Sequence, residues 1–267
     1  MSSSIDRITK ALSTPRAAFM PYFTLGYPDF ETSLDIVRAC AQAGADLMEL
    51  GLPFSDPLAD GPTIQHSTQT ALANGTTVAR CLAGVGELRR GGVAIPLVLM
   101  GYLNPILAYG VERFVRDASQ AGADGFIIPD LPPEEGEQME RLCRKEGLAL
   151  VYLLAPNSSP ERIRLVCERT GGFVYLVSVR GITGARATLP DGLAAFVERV
   201  RPQARVPLAV GFGISTPQQV AAVGQLADGV IVGSALIRVV RGALEAGEDP
   251  VEAAGAFVQR MAQSLQR

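Results

Sequence analysis

Between residues 46 and 65 the chain reads Asp46-Leu-Met-Glu-Leu-Gly-Leu-Pro-Phe-Ser-Asp-Pro-Leu-Ala-Asp-Gly-Pro-Thr-Ile-Gln65. Its first part is a short apolar run typical of a buried strand, with one carboxyl group, Glu49, in the middle. Pro53 has no N–H to donate, so it ends the predicted strand and begins a loop that carries Asp56 and Asp60. A carboxyl fixed in a strand and another on the adjoining loop form a pair that general acid–base chemistry can use.

Each of these acids also has a purely structural interpretation. Glu49 is consistent with a buried acid paired to an Arg, a Tyr or a backbone N–H. Asp60 is well placed to cap a helix that starts near Pro62, and Asp56 in Ser-Asp-Pro is ordinary turn chemistry. These alternatives compete residue by residue, whereas the run as a whole is more specific.

Composition sets the class of protein. The chain has 267 residues and a mass of 28.2 kDa, enough for one large α/β domain or two small ones. A hydrophobic content of 48% and a charged content of 19% argue against a disordered chain. The net charge of -3, without a long run of either sign, argues against a nucleic-acid or polybasic membrane surface. With no secretory segment and no apolar run near membrane-spanning length, we expect a cytoplasmic protein.

The four cysteines are scattered and form no C-x-x-C pair, and His66 is the only histidine. This pattern excludes a His-rich metal centre and leaves only His66 as base for a Ser or Cys triad. Each cysteine falls in a helical pattern, so we expect free thiols in a reducing compartment.

The rest of the chain repeats one unit, in which an apolar strand is followed by a loop and then by a helical pattern. The predicted strands are Ala17–Thr24, Asp46–Leu52, Pro96–Tyr102, Gly125–Ile128, Ala149–Leu154, Phe173–Ser178, Pro207–Val210 and Gly229–Val232. These units have no linker between them and predict one α/β domain over residues 1–267, a single (β/α)8 TIM barrel with an extra N-terminal helix, Ser4–Leu12. A doubly wound open sheet is the alternative, and the long last helix, Pro250–Leu265, favours closure.

Three short echoes lie where a helix ends and a strand begins. They are Ala-Gly-Ala-Asp at 43–46 and 121–124, and Leu-Ala-Asp-Gly at 226–229. In the first two the glycine is placed to end the helix, so we interpret the echoes as structural and not catalytic.

The active face of such a barrel lies at the carboxyl ends of its strands. Those ends collect mixed apolar and aromatic side chains around two acids, and predict a pocket for a flat, mostly apolar ligand. The residues are Tyr22, Thr24, Glu49, Asp60, Met100, Tyr102, Ile127, Pro129, Leu153 and Tyr175. Barrel core is the alternative for the aliphatic members.

Glycines follow the last two strands, in Gly211-Phe212-Gly213 and Gly233-Ser234. A short helix predicted over Ala235–Val239 would offer unpaired N–H groups to a phosphate, although plain strand–helix turns are the alternative.

A long glycine-rich loop, Arg180–Pro190, is predicted to be a lid that closes over the ligand; mobility without function is its alternative.

Several segments resemble the tryptophan synthase α chain family over nearly the whole chain. They are Pro21-Tyr-Phe-Thr-Leu-Gly-Tyr-Pro28, the run from Glu49 to Gln65, Met100-Gly-Tyr-Leu-Asn-Pro105, Pro129-Asp-Leu-Pro-Pro133, Gly181-Ile-Thr-Gly-Ala185 and Val210-Gly-Phe-Gly-Ile214. The resemblance implies retro-aldol cleavage of indole-3-glycerol phosphate to indole and glyceraldehyde 3-phosphate, without a metal or organic cofactor in the barrel. Tyr22 departs from the family, which often has Phe there, and Leu52 replaces an expected β-branched residue.

The same resemblance implies the residue roles. Glu49 would be the catalytic acid–base, and Asp60 would hold the indole N–H. Tyr175 would lie beside Glu49, and Thr183 would lie in the closing loop. The phosphate would bind backbone N–H groups near Gly184, Gly213, Gly233 and Ser234.

The resemblance further implies a partner, a PLP-dependent β chain that receives the indole in an α2β2 heterotetramer and completes L-tryptophan synthesis. The docking face would combine the loop Pro53–Pro62 with Asn104-Pro105 and Pro132, and would include Asp56 and Pro57. The alternatives are a solvated loop and a stand-alone indole lyase.

Two rival functions remain at this point. Another sugar-phosphate barrel, such as an isomerase or the synthase of the same indole substrate, is one; that synthase would need lysines at strand ends, whereas Lys10 and Lys145 fall in helices. A silent barrel that only activates a partner is the other, and the pair of Glu49 and Asp60 argues against it.

Overall fold

The structure, a computed structural model, describes residues 4–177, 192–211 and 213–265. Its strands are Ala18–Thr24 (β1), Met48–Gly51 (β2), Leu97–Met100 (β3), Gly125–Ile127 (β4), Ala149–Val151 (β5), Leu153–Leu154 (β6), Val174–Val177 (β7), Leu208–Gly211 (β8) and Gly229–Val232 (β9). The pairings between them are parallel, in the order β5-β4-β3-β2-β1-β9-β8-β7-β6.

The ring closes at Tyr152, which separates β5 from β6. These two segments are one passage of the chain: β5 pairs with β4, and β6 pairs with β7. Across the junction, the Tyr175 N–H donates to the Tyr152 carbonyl at 3.1 Å. The predicted (β/α)8 barrel is therefore confirmed, and the open sheet is excluded.

Helices surround the ring. They are Ser4–Leu12 (α1), Phe30–Gln42 (α2), Pro62–Ala73 (α3), Val78–Arg90 (α4), Leu103–Tyr109 (α5), Val111–Ala121 (α6), Glu137–Glu146 (α7), Pro160–Arg169 (α8), Leu193–Val200 (α9), Pro217–Gly224 (α10), Ser234–Ala246 (α11) and Pro250–Gln263 (α12). Most bury one stripe only; α6, for example, buries Phe114, Val115 and Ala118. Across the described ranges, no helix combines the length and the apolar character that crossing a membrane requires.

For Leu103 to Gly110, which follows the third strand, the sequence predicts a loop, whereas the structure is helical from Leu103 to Tyr109. Pro105 lies in the first turn, where a missing N–H costs no intrahelical hydrogen bond. Ile106 is buried against the core and fixes the short helix there.

For Glu134 to Glu146 the sequence predicts one helix, whereas the structure has two pieces, a 3-10 turn at Pro133–Glu135 and then α7. Gly136 separates them, and a side chain at this position would lie 1.8 Å from the Tyr152 hydroxyl. The tyrosine that interrupts the fifth strand therefore requires a glycine at the junction of these two pieces.

The helix after the last strand is longer than predicted. It runs from Ser234 to Ala246, not from Ala235 to Val239, because apolar residues continue to meet the core as far as Val240 and Ala243. It ends at Gly247, which adopts φ 71°.

The three sequence echoes form a repeated contact at the amino ends of the strands. Asp46, Asp124 and Asp228 each precede a strand, and each accepts a backbone N–H from the preceding strand along the chain: Phe19 at 2.7 Å, Leu97 at 2.8 Å and Leu208 at 2.8 Å. The echoes are structural, as predicted: each aspartate forms a hydrogen bond that joins two neighbouring strands.

An arginine completes each contact. Arg16 binds Asp46 with both terminal nitrogens, at 2.7 and 2.9 Å, and Arg201 binds Asp228. Asp124 receives two guanidinium groups, Arg7 at 2.6 Å and Arg89 at 2.5 Å. Since Arg7 belongs to α1, this last contact ties the N-terminal helix to the barrel.

Candidate active site

Glu49 is the second residue of β2 and pairs in register with Tyr22 on β1 and Val98 on β3. Its side chain has no exposed surface, and neither carboxyl oxygen has a hydrogen-bond partner within the described ranges. Burial raises its pKa to about 8. The interpretation as a buried acid held by an Arg, a Tyr or a backbone N–H therefore fails, and Glu49 is a neutral acid at pH 7.

Asp60 lies on the loop between β2 and α3 and is half-buried. Burial raises its pKa to about 6, and a hydrogen bond from Tyr102 acts in the opposite direction. The Tyr102 oxygen accepts the Ala59 N–H at 3.0 Å, which leaves the phenolic proton for Asp60. The cap of α3 is Gly61, without a side-chain hydrogen bond, so the helix-cap interpretation of Asp60 is wrong.

The charges of both carboxyl groups affect the same two buried tyrosines, Tyr22 and Tyr175, which indicates that the two groups lie at one end of the barrel. Burial and then the charges of Glu49 and Asp60 raise the pKa of Tyr175 well above its ordinary value. Burial, and after it chiefly Asp60, has the same effect on Tyr22, with a smaller contribution from Glu49. Both phenols therefore remain protonated around the pair.

Small residues make room for these tyrosines. A side chain at Gly51 would lie 2.1 Å from the Tyr22 hydroxyl, and one at Gly211 would lie 2.3 Å from the Tyr175 hydroxyl. Both tyrosines therefore lean across the carboxyl ends of the neighbouring strands. Met100 and Ile127, at the ends of β3 and β4, are buried and supply apolar surface.

The glycines predicted to bind phosphate lie at the same end. Gly211 ends β8, Gly213 follows with φ 78°, and Gly233 is the N-cap of α11. Gly233 has no side chain to cap that helix, so among the described residues its first N–H groups, beginning at Ser234, have no side-chain acceptor. Thr183, Gly184 and Phe212, together with the whole predicted lid, Arg180–Pro190, lie outside the described residues.

The residues predicted to contact a partner lie on nearby loops, except Asn104, which lies in the first turn of α5. Asp56 and Asn104 are exposed, Pro132 is half-buried, and Pro57 is buried in the isolated chain. Leu58, which directly follows Pro57 in the sequence, has 93% of its surface exposed.

Sequence reasoning missed Ser67, on α3, whose hydroxyl lies 2.8 Å from that of Thr24. A serine inside a helical pattern gives no sequence signal for such a contact.

Two classes of chemistry leave no trace in the described ranges. No group of His, Cys, Asp or Glu side chains there could hold a metal ion. Cys40, Cys81, Cys143 and Cys167 are free and buried, and burial raises the pKa of Cys40 and Cys81 to about 12, which makes these thiols poor nucleophiles.

Comparison with known proteins agrees with this geometry. The family model for the tryptophan synthase alpha chain matches residues 8–266. The tryptophan synthase alpha chain of Roseiflexus castenholzii is 50% identical over 240 residues, covering 90% of this chain and 92% of the relative. That of Chloroflexus aurantiacus is 47% identical, with 100% of both chains covered.

Solved structures agree as well. The tryptophan synthase subunit alpha of Legionella pneumophila superposes with a TM-score of 0.91 at 38% identity, covering 100% of this chain and 99% of the other. A chain of Mycobacterium tuberculosis tryptophan synthase gives a TM-score of 0.87 at 36% identity, covering 99% and 97%. This chain therefore belongs to the tryptophan synthase alpha chain family, the lyase-type subunit that cleaves indole-3-glycerol phosphate.

Proposed function

We propose that Glu49 and Asp60 carry the cleavage of indole-3-glycerol phosphate to indole and glyceraldehyde 3-phosphate in this chain. The observation that supports this most is the carboxyl group of Glu49, which is fully buried and has no hydrogen-bond partner in the described ranges; its burial raises the pKa to about 8. A folded protein that keeps such an acid without a structural partner has it available for a ligand.

The retro-aldol step needs two proton transfers. A proton must reach carbon 3 of the indole ring, and a proton must leave the hydroxyl on the carbon that becomes the aldehyde. Glu49 delivers the first as a neutral acid, and its carboxylate then accepts the second. The bond between carbon 3 and the side chain breaks, and its electron pair restores the aromatic ring.

Asp60 stabilises the positive charge that develops on the ring nitrogen after carbon 3 is protonated. It must be ionised to do so, and the hydrogen bond from Tyr102 favours the ionised form. Burial raises the pKa of both groups, to about 8 for Glu49 and about 6 for Asp60; Tyr102 opposes the effect at Asp60, and no described residue donates to Glu49, so the two groups differ in protonation at neutral pH.

The phosphate binds between the last two strand–helix loops. Its charge suits the uncapped start of α11 at Gly233 and Ser234, where backbone N–H groups and the helix dipole attract an anion. Gly211 and Gly213 line the neighbouring loop. We assign Phe212, Thr183 and Gly184 to the same site on the sequence alone.

The direct test is an assay of indole release from indole-3-glycerol phosphate by the isolated chain, and again with a tryptophan synthase β chain. Release that begins or rises when the β chain is added supports the proposal. A folded chain that releases no indole under either condition contradicts it.

The pH dependence of kcat/KM follows from the two carboxyl groups. Asp60 must be ionised, so activity is expected to fall as the pH drops through about 6. Glu49 must be protonated, so activity is expected to fall as the pH rises through about 8.

Asp60→Asn should lose most turnover and still bind inorganic phosphate, because the substitution leaves α11 unchanged. If the residual kcat/KM of this variant kept the wild-type pH profile, ionisation of Asp60 would not be the cause of the activity loss at low pH.

We also propose a PLP-dependent β chain as partner, in an α2β2 assembly that receives the indole. Leu58 supports a docking face on the loop Pro53–Pro62, since a leucine with 93% of its surface exposed favours burial in an interface. Beside it a pocket of about 320 Å³ is lined by Phe54, Ser55, Asp56, Pro57, Leu58, Gln65 and Gln69. Asp56 and Asn104 would add polar contacts at the rim, beside Pro132.

Leu58→Ser should weaken co-purification with the β chain and leave unassisted indole release unchanged. Leu244→Ser, on the outer helix α11, is the matched control, because this leucine is also exposed. Equal retention of the β chain by both variants would place the docking face elsewhere.

We further propose that residues 1–267 act as one domain in the cytoplasm. The first and last strands pair with each other, and α12 packs on α2, which supports a single unit. The free, buried cysteines fit a reducing compartment.

A further inference from the structure

Three hydroxyl groups form a chain from the pocket into α3. The Tyr22 hydroxyl lies 3.3 Å from that of Thr24, and the Thr24 hydroxyl lies 2.8 Å from that of Ser67. Ser67 donates to the Ile64 carbonyl at 2.8 Å. Tyr22, Thr24 and Ser67 are all buried, so no bulk water competes for these hydrogen bonds. We call these three groups the hydroxyl relay.

With all three contacts formed as hydrogen bonds, the proton count allows only one direction for the relay. A carbonyl oxygen only accepts, so the single Ser67 proton points to Ile64. Thr24 must then donate to Ser67, which uses the only proton of Thr24. Tyr22 must in turn donate to Thr24. The phenolic oxygen of Tyr22 is therefore left with acceptor lone pairs and no proton for the pocket.

The two phenols around Asp60 consequently have opposite roles. Tyr102 accepts from the Ala59 N–H and donates to Asp60. Tyr22 is the acceptor, and Asp60 is the charged group with the largest influence on it. Its oxygen also lies against Gly51, where no side chain could fit. Gly51 ends the strand that leads into the loop of Asp60, and a fixed acceptor at this end of the barrel suits a ligand group that donates.

We propose that Tyr22 is a specificity-determining residue whose phenolic oxygen, fixed as an acceptor by the hydroxyl relay, shares the ring N–H of the indole with Asp60. The inference rests on the proposed function, in which Asp60 binds that N–H. Ser67 is then a positioning residue: it touches no substrate, and it acts by fixing the proton of Thr24 and hence that of Tyr22.

The test compares two non-cleavable inhibitors, 3-(indol-3-yl)propyl phosphate and its benzofuran counterpart, in which an oxygen replaces the N–H. Tyr22→Phe should weaken the indole inhibitor about threefold to tenfold, the effect of one neutral hydrogen bond, and leave the benzofuran inhibitor unchanged. A structural defect would instead weaken both inhibitors alike.

Ser67→Ala tests the relay from outside the pocket. Without its acceptor, the Thr24 proton can turn to Tyr22, and the Tyr22 proton can then turn into the pocket. The variant should therefore bind the benzofuran inhibitor more tightly relative to the indole inhibitor, so the indole-to-benzofuran ratio of inhibition constants should rise. Thr24→Ser keeps a hydroxyl and should keep the wild-type ratio. Thr70→Val removes another α3 hydroxyl, one bonded to the His66 carbonyl, and should change nothing.

The outcomes separate the inference from the proposed function. An unchanged ratio in Tyr22→Phe and Ser67→Ala, or an equal loss for both inhibitors, overturns the inference even if the wild-type chain releases indole. A ratio that shifts as expected supports the inference, and the separate indole-release assay then decides the cleavage reaction itself.

Discussion

Glu49→Gln is expected to lose about 10²–10⁴-fold in kcat for indole release, the range for removal of one general acid–base group. The amide has nearly the same shape as a protonated carboxyl group, so the substrate should still bind with a similar KM. Its N–H protons are far too weakly acidic to reach carbon 3 of the indole. Steady-state kinetics at pH 7 measures the effect, and near-normal cleavage by this variant would remove Glu49 from the mechanism.

Glu49→Gln should lower activity but raise the free energy of unfolding relative to the wild type as the pH rises. Burial raises the Glu49 pKa from an ordinary value near 4.5 to about 8, so the folded state binds more protons than the unfolded state between these values. The stability contributed by this protonation is complete below pH 4.5 and is lost as the pH rises through about 8. The glutamine variant has no such loss, and urea unfolding should show its advantage growing from pH 5 to about pH 8.

A matched control is Glu140→Gln, the same change at another buried glutamate. Glu140 accepts hydrogen bonds from Tyr152 at 2.8 Å and from Arg169 at 2.8 Å, so its charge is paired. This variant should have a lower free energy of unfolding and should retain its rate of indole release. A gain in stability for both variants would show that charge removal alone, and not the missing partner of Glu49, is responsible.

Asp124→Ala is expected to lower the free energy of unfolding by about 3–5 kcal/mol, the cost of removing one member of a buried ion pair. The side chain of Asp124 is fully buried and binds Arg7, Arg89 and the Leu97 N–H. Burial raises the pKa of this carboxyl despite the opposing effect of those donors, which shows how strongly the site disfavours an unpaired charge. Denaturant unfolding followed by circular dichroism measures the loss.

Asp117→Ala is the control for Asp124, because Asp117 also contacts two arginines, Arg113 and Arg116, but at the surface. Exposed ion pairs are screened by water and contribute little, so this variant should unfold close to the wild type. An equally small change in Asp124→Ala would mean that the contact between α1 and the barrel does not stabilise the fold.

The sequence by itself determined the order of the barrel and the position of its acids. Apolar runs separated by helical periodicity identified every strand of the ring, since each pattern is local. The run around Glu49 and Asp60 was specific enough to predict a candidate site that contains both carboxyl groups, and their roles remain a proposal. Sequence also placed Asp46, Asp124 and Asp228 at equivalent points of their units, without showing what they bind.

Only the tertiary structure decided which group each side chain meets. The helical stretch after Leu103 and the break at Tyr152 depend on packing between elements distant in sequence, which local patterns do not contain. The same holds for the missing partner of Glu49, and for the contact of Thr24 with Ser67 that fixes the proton of Tyr22. A sequence specifies which donors and acceptors exist, but hydrogen bonds need atoms within about 3 Å of each other, and only the folded chain sets those distances.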